Sequence, residues 1–126
     1  MDKVIIKTAL APAPIGPYNQ AIKAGNFLFA SGQIALNPAN GELMNASIAE
    51  EANQVMNNIS AILKEAGADF NNIVKTTIFL SDMSLFAEVN EIYGSYFSGD
   101  YPARETVAVK GLPKNVNIEI SVTAFL

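Results

Sequence analysis

Two side chains in this sequence could together hold a small carboxylic acid and work on it: Arg104 and Glu119. Arg104 is the only arginine among 8 basic residues, and the rest are lysines. A guanidinium offers a planar fork that grips a carboxylate through two parallel hydrogen bonds, which an ammonium cannot copy. At a strand start it also fits an ordinary exposed charge. Glu119 interrupts an apolar alternation: Val116, Ile118, Ile120 and Val122 share one face, and Asn117, Glu119, Ser121 and Thr123 share the other. An antiparallel hairpin of residues 104–109 and 116–125, with apolar faces in register, sets Val107 opposite Ile118 and Thr106 opposite Glu119. Arg104 then lies diagonal to Glu119 on one polar face, within reach of a long side chain. That geometry fits a site for an anion and a water, and it fits a plain cross-strand salt bridge equally well.

Other polar groups could join them. Tyr18 follows the stiff turn Ile15-Gly16-Pro17 and can serve as a lid or as simple packing. Ser31, before Gly32, can offer a hydroxyl to a ligand or merely end a strand. Asn90 borders the apolar stripe of a helix, where a structural hydrogen bond is its commonest role.

Composition removes most alternatives. With no histidine and no cysteine, there is no Ser-His-Asp triad, thiol nucleophile, disulfide or zinc ribbon. The 12 acidic residues cluster only at Glu50-Glu51, which diverge on a helix and read as partners of its N-terminal dipole, so no metal site is expected. No phosphate-binding glycine motif occurs, and no cofactor is expected. The net charge is −4 and the lysines are scattered, which argues against nucleic acid. Neither a signal peptide nor a membrane span of about 20 apolar residues is visible, so the expected compartment is the cytoplasm.

These residues must be positioned by a single domain of 126 residues, half of them hydrophobic. A first short strand covers residues 4–7, and a stiff segment with Pro12, Pro14 and Pro17 follows. Gly25-Asn26 joins strands 20–24 and 27–31 in a hairpin that pairs Ala24 with Phe27 and Ile22 with Phe29. Ser47 and Glu50 fit a capping box that opens a helix with the stripe Ile48, Ala52, Val55, Met56, Ile59, Ile62, Leu63 and Ala66, stopped by Gly67. Residues 73–80 read as a strand. Asp82 or Ser84 caps a second helix with Phe86, Val89, Tyr93, Tyr96 and Phe97 on one side. The order of elements gives an α+β fold, a β-sheet with two α-helices packed on one face. The uncovered face, expected to carry small and polar residues, invites oligomerisation.

The motifs Ile15-Gly16-Pro17-Tyr18, Ser31-Gly32-Gln33-Ile34, Val74-Lys75-Thr76-Thr77, Pro102-Ala103-Arg104, Leu112-Pro113-Lys114 and Ile118-Glu119-Ile120, in this order, resemble the Rid family, formerly YjgF, and most nearly its RidA-type 2-iminobutanoate/2-iminopropanoate deaminases. The resemblance implies a chorismate-mutase-like mixed sheet and a homotrimer with sites between subunits. It also implies hydrolysis of 2-enamine and 2-imino acids to 2-oxo acids and ammonia without a cofactor, which would protect pyridoxal-phosphate enzymes. Carried over, Arg104 would hold the substrate carboxylate and Glu119 the attacking water, while Tyr18, Ser31 and Asn90 would line the site. Thr106, where typical RidA members often carry cysteine, would contribute a backbone N–H. Glu105 stands where the family usually has a small residue, and alternation points it away from Arg104. A non-catalytic module binding small carboxylates is the alternative. Ribonuclease and holdase roles are also reported in the family, and the acidic balance speaks against the former.

Overall fold

The computed structural model describes residues 2–126. Six strands, β1 (Lys3–Ile6), β2 (Ala21–Ala24), β3 (Phe27–Gln33), β4 (Ile73–Leu80), β5 (Ala103–Ala108) and β6 (Ile118–Phe125), and two helices, α1 (Ile48–Glu65) and α2 (Phe86–Gly94), form the framework. The sheet order is β1-β2-β3-β6-β4-β5. All pairings are antiparallel except β4 with β5.

The local signals act as their chemistry requires. The β2–β3 hairpin pairs Ala24 with Phe27 and Ile22 with Phe29, and Gly25 takes the positive φ of 60° that this turn demands. The Ser47 side chain accepts a hydrogen bond from the Glu50 N–H at 3.0 Å, capping α1, but the reciprocal Glu50 half of the expected capping box does not form among the described residues. The helix stops at Gly67, whose φ of 77° lets Ala68 N–H reach back to Leu63 C=O at 2.8 Å. Along α1, Val55, Met56, Ile59, Ile62 and Leu63 are buried against Leu28, Ile78, Leu80, Ile118 and Ile120 of the sheet. Each such side chain removed from water contributes about 1.5–3 kcal/mol.

Asp82 caps a short 3-10 turn, Met83–Leu85, that leads into α2. The helix ends at Gly94, so Tyr96 and Phe97 lie past its end and pack on Phe70. Glu51 does not act with Glu50 as a surface dipole partner. The helical period carries it onto the buried stripe, where it is 0% exposed. Its carboxylate accepts from the N–H groups of Asn117 and Ile118 at 2.8 and 3.0 Å and from the Asn117 amide at 3.1 Å.

The main correction concerns the C-terminal strands. β5 and β6 do not form a hairpin. β5 pairs with β4 in parallel, after the chain has crossed over through α2, and β6 inserts between β3 and β4. The reason is amphipathic. Ile118, Ile120, Val122 and Ala124 are all buried, and only a central strand covers a face that apolar. β5, with Arg104 and Thr106 on its helix-side face, belongs at an edge. The register also inverts the expected sides. Phe79 lies opposite both Glu119 and Val107, and Thr76 lies opposite Arg104. Glu119 and Val107 therefore occupy the open face, and Arg104 and Thr106 the helix-covered one. The open face is less polar than expected: Ile5, Phe27, Phe29, Val107 and Phe125 are each exposed there, beside Thr77, Ser121 and Thr123.

Candidate active site

The arginine side of the site is built by β5 and α2. Arg104 Nη1 donates to Asn90 Oδ1 at 2.7 Å. Its guanidinium carbon lies 5.7 Å from the centre of the Phe86 ring and 5.2 Å from that of Tyr93. Such cation–π contacts are worth about 0.5–1 kcal/mol each at partly exposed sites. Here the two rings flank the guanidinium. Tyr93 is itself anchored, its hydroxyl donating to Thr76 Oγ1 at 2.9 Å in the core. Burial pushes the Tyr93 phenol up, against the opposing pull of Thr76 and Arg104, so it stays neutral. Among the described residues the only ion pair is Lys75–Glu105, at 3.2 Å on the open face. Arg104 thus has N–H groups to spare beside a groove of about 570 Å³ lined by Asn90, Glu91, Tyr93, Gly94, Tyr101, Pro102 and Arg104.

The edge position of β5 adds backbone donors. Val109 N–H donates to Leu80 C=O. By the alternation of a parallel ladder, the N–H groups of Val107 and Glu105 also face β4, and those of Arg104, Thr106 and Ala108 face the free edge. The outward Thr106 N–H is the group the family resemblance calls for. The Thr106 hydroxyl, by contrast, is buried without a partner among the described residues. Glu105 lies on the face opposite Arg104 and accepts from Lys75 and Thr77.

The glutamate side is built by β6, β3 and the proline-rich segment. The Glu119 carboxylate lies over Gly32: a Cβ built there would collide with a carboxylate oxygen and stand 2.8 Å from Cδ. Glycine at position 32 is therefore what lets the carboxylate approach the backbone. The signal was present as a glycine inside the strand pattern, but its partner was not legible. A small cavity of about 60 Å³ is lined by Pro12, Tyr18, Gln20, Gly32, Gln33, Pro113 and Glu119, among others. That is room for one or two waters. Burial alone raises the Glu119 carboxyl above its ordinary value, which moves it toward the range of a general base. Tyr18 borders this cavity, half-exposed, and its hydroxyl accepts from Ile15 N–H at 3.3 Å. Ser31 donates its hydroxyl to Asn19 C=O at 2.6 Å, so it ties the segment to β3 and keeps only acceptor capacity free.

The six candidate residues thus fall into two groups. Asn90, Arg104 and Thr106 gather on the helix side of edge strand β5. Tyr18, Ser31 and Glu119 gather at the open side of β6 and β3. The two strands are separated by β4, about 10 Å laterally, and the groups lie on opposite faces of the sheet. Within one chain the two groups do not meet.

Residues 8–126 match the family model described as endoribonuclease L-PSP. A 2-iminobutanoate/2-iminopropanoate deaminase of Mus musculus is 48% identical over 120 residues, covering 95% of this chain and 89% of the relative. Among solved structures, a Rid protein family member, YyfA from Yersinia pestis, superposes with a TM-score of 0.96 at 46% identity, covering 99% of this chain and 100% of that one. TdcF of E. coli, solved with bound serine, superposes with a TM-score of 0.93 at 39% identity, covering 98% of each chain.

Proposed function

Because the chain belongs to the endoribonuclease L-PSP family, which includes the Rid proteins, and a near relative is a deaminase by name, we propose that it hydrolyses 2-imino acids and their enamine tautomers, 2-iminobutanoate and 2-iminopropanoate among them, to 2-oxo acids and ammonia. The observation that carries this reading is the Arg104 fork. It is held rigid by Asn90 and two aromatic rings, has no anionic partner among the described residues, and faces a groove.

In this mechanism Arg104 takes the substrate carboxylate, with the Thr106 N–H beside it. The protonated C=N carbon is already electrophilic. Glu119 orients a water in its cavity and accepts a proton as the water oxygen bonds to that carbon. Proton transfer to nitrogen and loss of ammonia then leave the 2-oxo acid. Positioning alone can supply several kcal/mol of such a barrier, and the water supplies the oxygen, so no redox partner is required. The separation of the half-sites implies that a second copy provides Glu119, Tyr18 and Ser31 to the Arg104 of the first. A homotrimer, with the apolar open faces turned toward its axis, satisfies both needs. Imines of this class are released by pyridoxal-phosphate dehydratases acting on serine or threonine. The role is therefore protective, and the cytoplasm is the compartment where those enzymes work.

The test couples a serine or threonine dehydratase to semicarbazide trapping of the imine. The wild-type chain should deplete the trapped imine, and Arg104→Ala should lose about a hundred-fold or more in kcat/KM. Arg104→Lys should recover little, because a point charge does not replace the fork. Equal imine removal by wild type and Arg104→Ala sinks the assignment. A second reading, a non-catalytic carboxylate-binding module, draws on the serine bound to TdcF. Calorimetric binding of 2-oxobutyrate with no acceleration of imine loss would favour it.

A further inference from the structure

The segment between β1 and β2 forms one wall of the Glu119 cavity, yet its backbone has few ties to the sheet. Pro12, Pro14 and Pro17 lack N–H donors. Among residues 9–18 the hydrogen bonds from backbone N–H groups stay local: Leu10 to Thr8 Oγ1 at 3.1 Å, Ile15 to the Tyr18 hydroxyl at 3.3 Å and Tyr18 to Gly16 C=O at 2.8 Å. Ala11 is buried in the core. Every polar tie from residues 8–12 to the sheet runs through one side chain, Gln20, which is 3% exposed.

The Gln20 amide is bonded at both ends. Oε1 accepts from Thr8 N–H at 2.7 Å. Nε2 faces the carbonyls of Thr8, Ala11 and Pro12 at 2.9, 3.1 and 2.9 Å. One N–H on one side and three carbonyls on the other also fix which way the amide points. At its backbone Gln20 accepts from Ser31 N–H at 2.9 Å, in β3 next to Gly32. It also lines the cavity, along with Pro12, Ala13, Ile15, Tyr18 and Glu119. Gln20 therefore joins the stiff segment, the strand that carries Gly32 and the wall around the carboxylate, while the Ser31 hydroxyl ties the far end of the segment at Asn19.

We propose that Gln20 is a latch that holds residues 8–18 closed over the Glu119 cavity, and hence a positioning residue for the water-handling half of the site. The kinetic part of this inference rests on the function proposed above, and the latch itself does not.

The experiment compares wild type with Gln20→Leu by amide hydrogen exchange and by imine hydrolysis. Exchange in residues 8–18 should quicken by about ten-fold or more, because several bonds open together, while exchange in β4 stays as in wild type. The kcat should fall about ten-fold through misplacement around Glu119, and KM, set by Arg104 at the other half-site, should stay within about two-fold. If the leucine variant does not fold, Gln20→Met, whose unbranched chain follows the glutamine's path, is read in the same way. Unchanged exchange overturns the latch, as does failure of both variants to fold, since Gln20 would then support the whole domain. Faster exchange with unchanged kcat, or an equal loss in every kinetic and stability measure, overturns the positioning role. A wild type without imine hydrolysis overturns the proposed function and the positioning role with it, and exchange still decides the latch.

Discussion

Glu119 is held at a cost. Its neighbours in the cavity are apolar or neutral, with Tyr18 the one other titratable group there; Phe79 stands beside it on β4, and Lys75 and Glu105 on the same face pair with each other. Burial is the only cause that raises its carboxyl above the ordinary 4.5. The sign follows from linkage. Between the ordinary value and the raised one, the folded chain binds a proton that the unfolded chain has released, so stability falls as pH rises through that window and stays lower above it. Glu119→Gln removes the charge that burial opposes. The variant should melt above wild type at pH 7, the gap should close as pH falls below about 4 where both side chains are neutral, and thermal melts across that range measure it. The same variant should lose about 10²–10⁴ in imine hydrolysis, the usual worth of a positioned base. Both outcomes together would show a residue that the fold keeps for its chemistry at a cost in stability. Arg104 shows the complementary economy, since the Asn90 carbonyl and two rings stabilise the fork without occupying all of its donors.

At the scale of elements, local chemistry made the β2–β3 hairpin, the Ser47 cap and the Gly67 stop legible, because each is decided within a few residues. The Arg104–Glu119 relation was not, because it depends on which strand lies next to which. Alternation says that Arg104, Thr106 and Ala108 share a side of β5; it does not say which side meets the helices. An arginine on the helix-covered side is counter-intuitive until α2 supplies Asn90, Phe86 and Tyr93 to receive it. Glu51 was hidden for a similar reason: its partners are backbone N–H groups that sequence does not locate. That carboxylate ties the first turn of α1 to the start of β6, two residues before Glu119, and Asn117 in turn accepts from the Ser81 hydroxyl at 2.8 Å at the end of β4. Glu51→Ala should destabilise the chain by about 3 kcal/mol or more, because buried N–H groups lose a charged acceptor. Glu51→Gln, which keeps one carbonyl oxygen, should cost about half as much. Urea unfolding followed by circular dichroism separates the two, and an unaffected midpoint in the alanine variant would mean that the N–H groups find water instead.

For the molecule as a whole, the proposed function calls for a second copy on two grounds. The open face exposes Ile5, Phe27, Phe29 and Phe125 side by side, with Phe27 and Phe125 in edge contact at 5.2 Å, an apolar surface of the kind that marks association. Arg104 and Glu119 lie on opposite faces of one sheet, so under the proposed function no small imino acid touches both within one chain. A site shared between copies makes a prediction that a site within one chain does not. Arg104→Ala and Glu119→Gln chains should each be inactive alone. Unfolded together in equal amounts and refolded, they should regain about a quarter of wild-type activity, because one contact in four joins an intact Arg104 to an intact Glu119 from different copies. Each variant refolded alone should stay inactive, and light scattering on the mixture should give the mass of three 13.4 kDa chains. A mixture no more active than its components, at that same mass, would place both residues' work within single chains and remove the reason for the assembly.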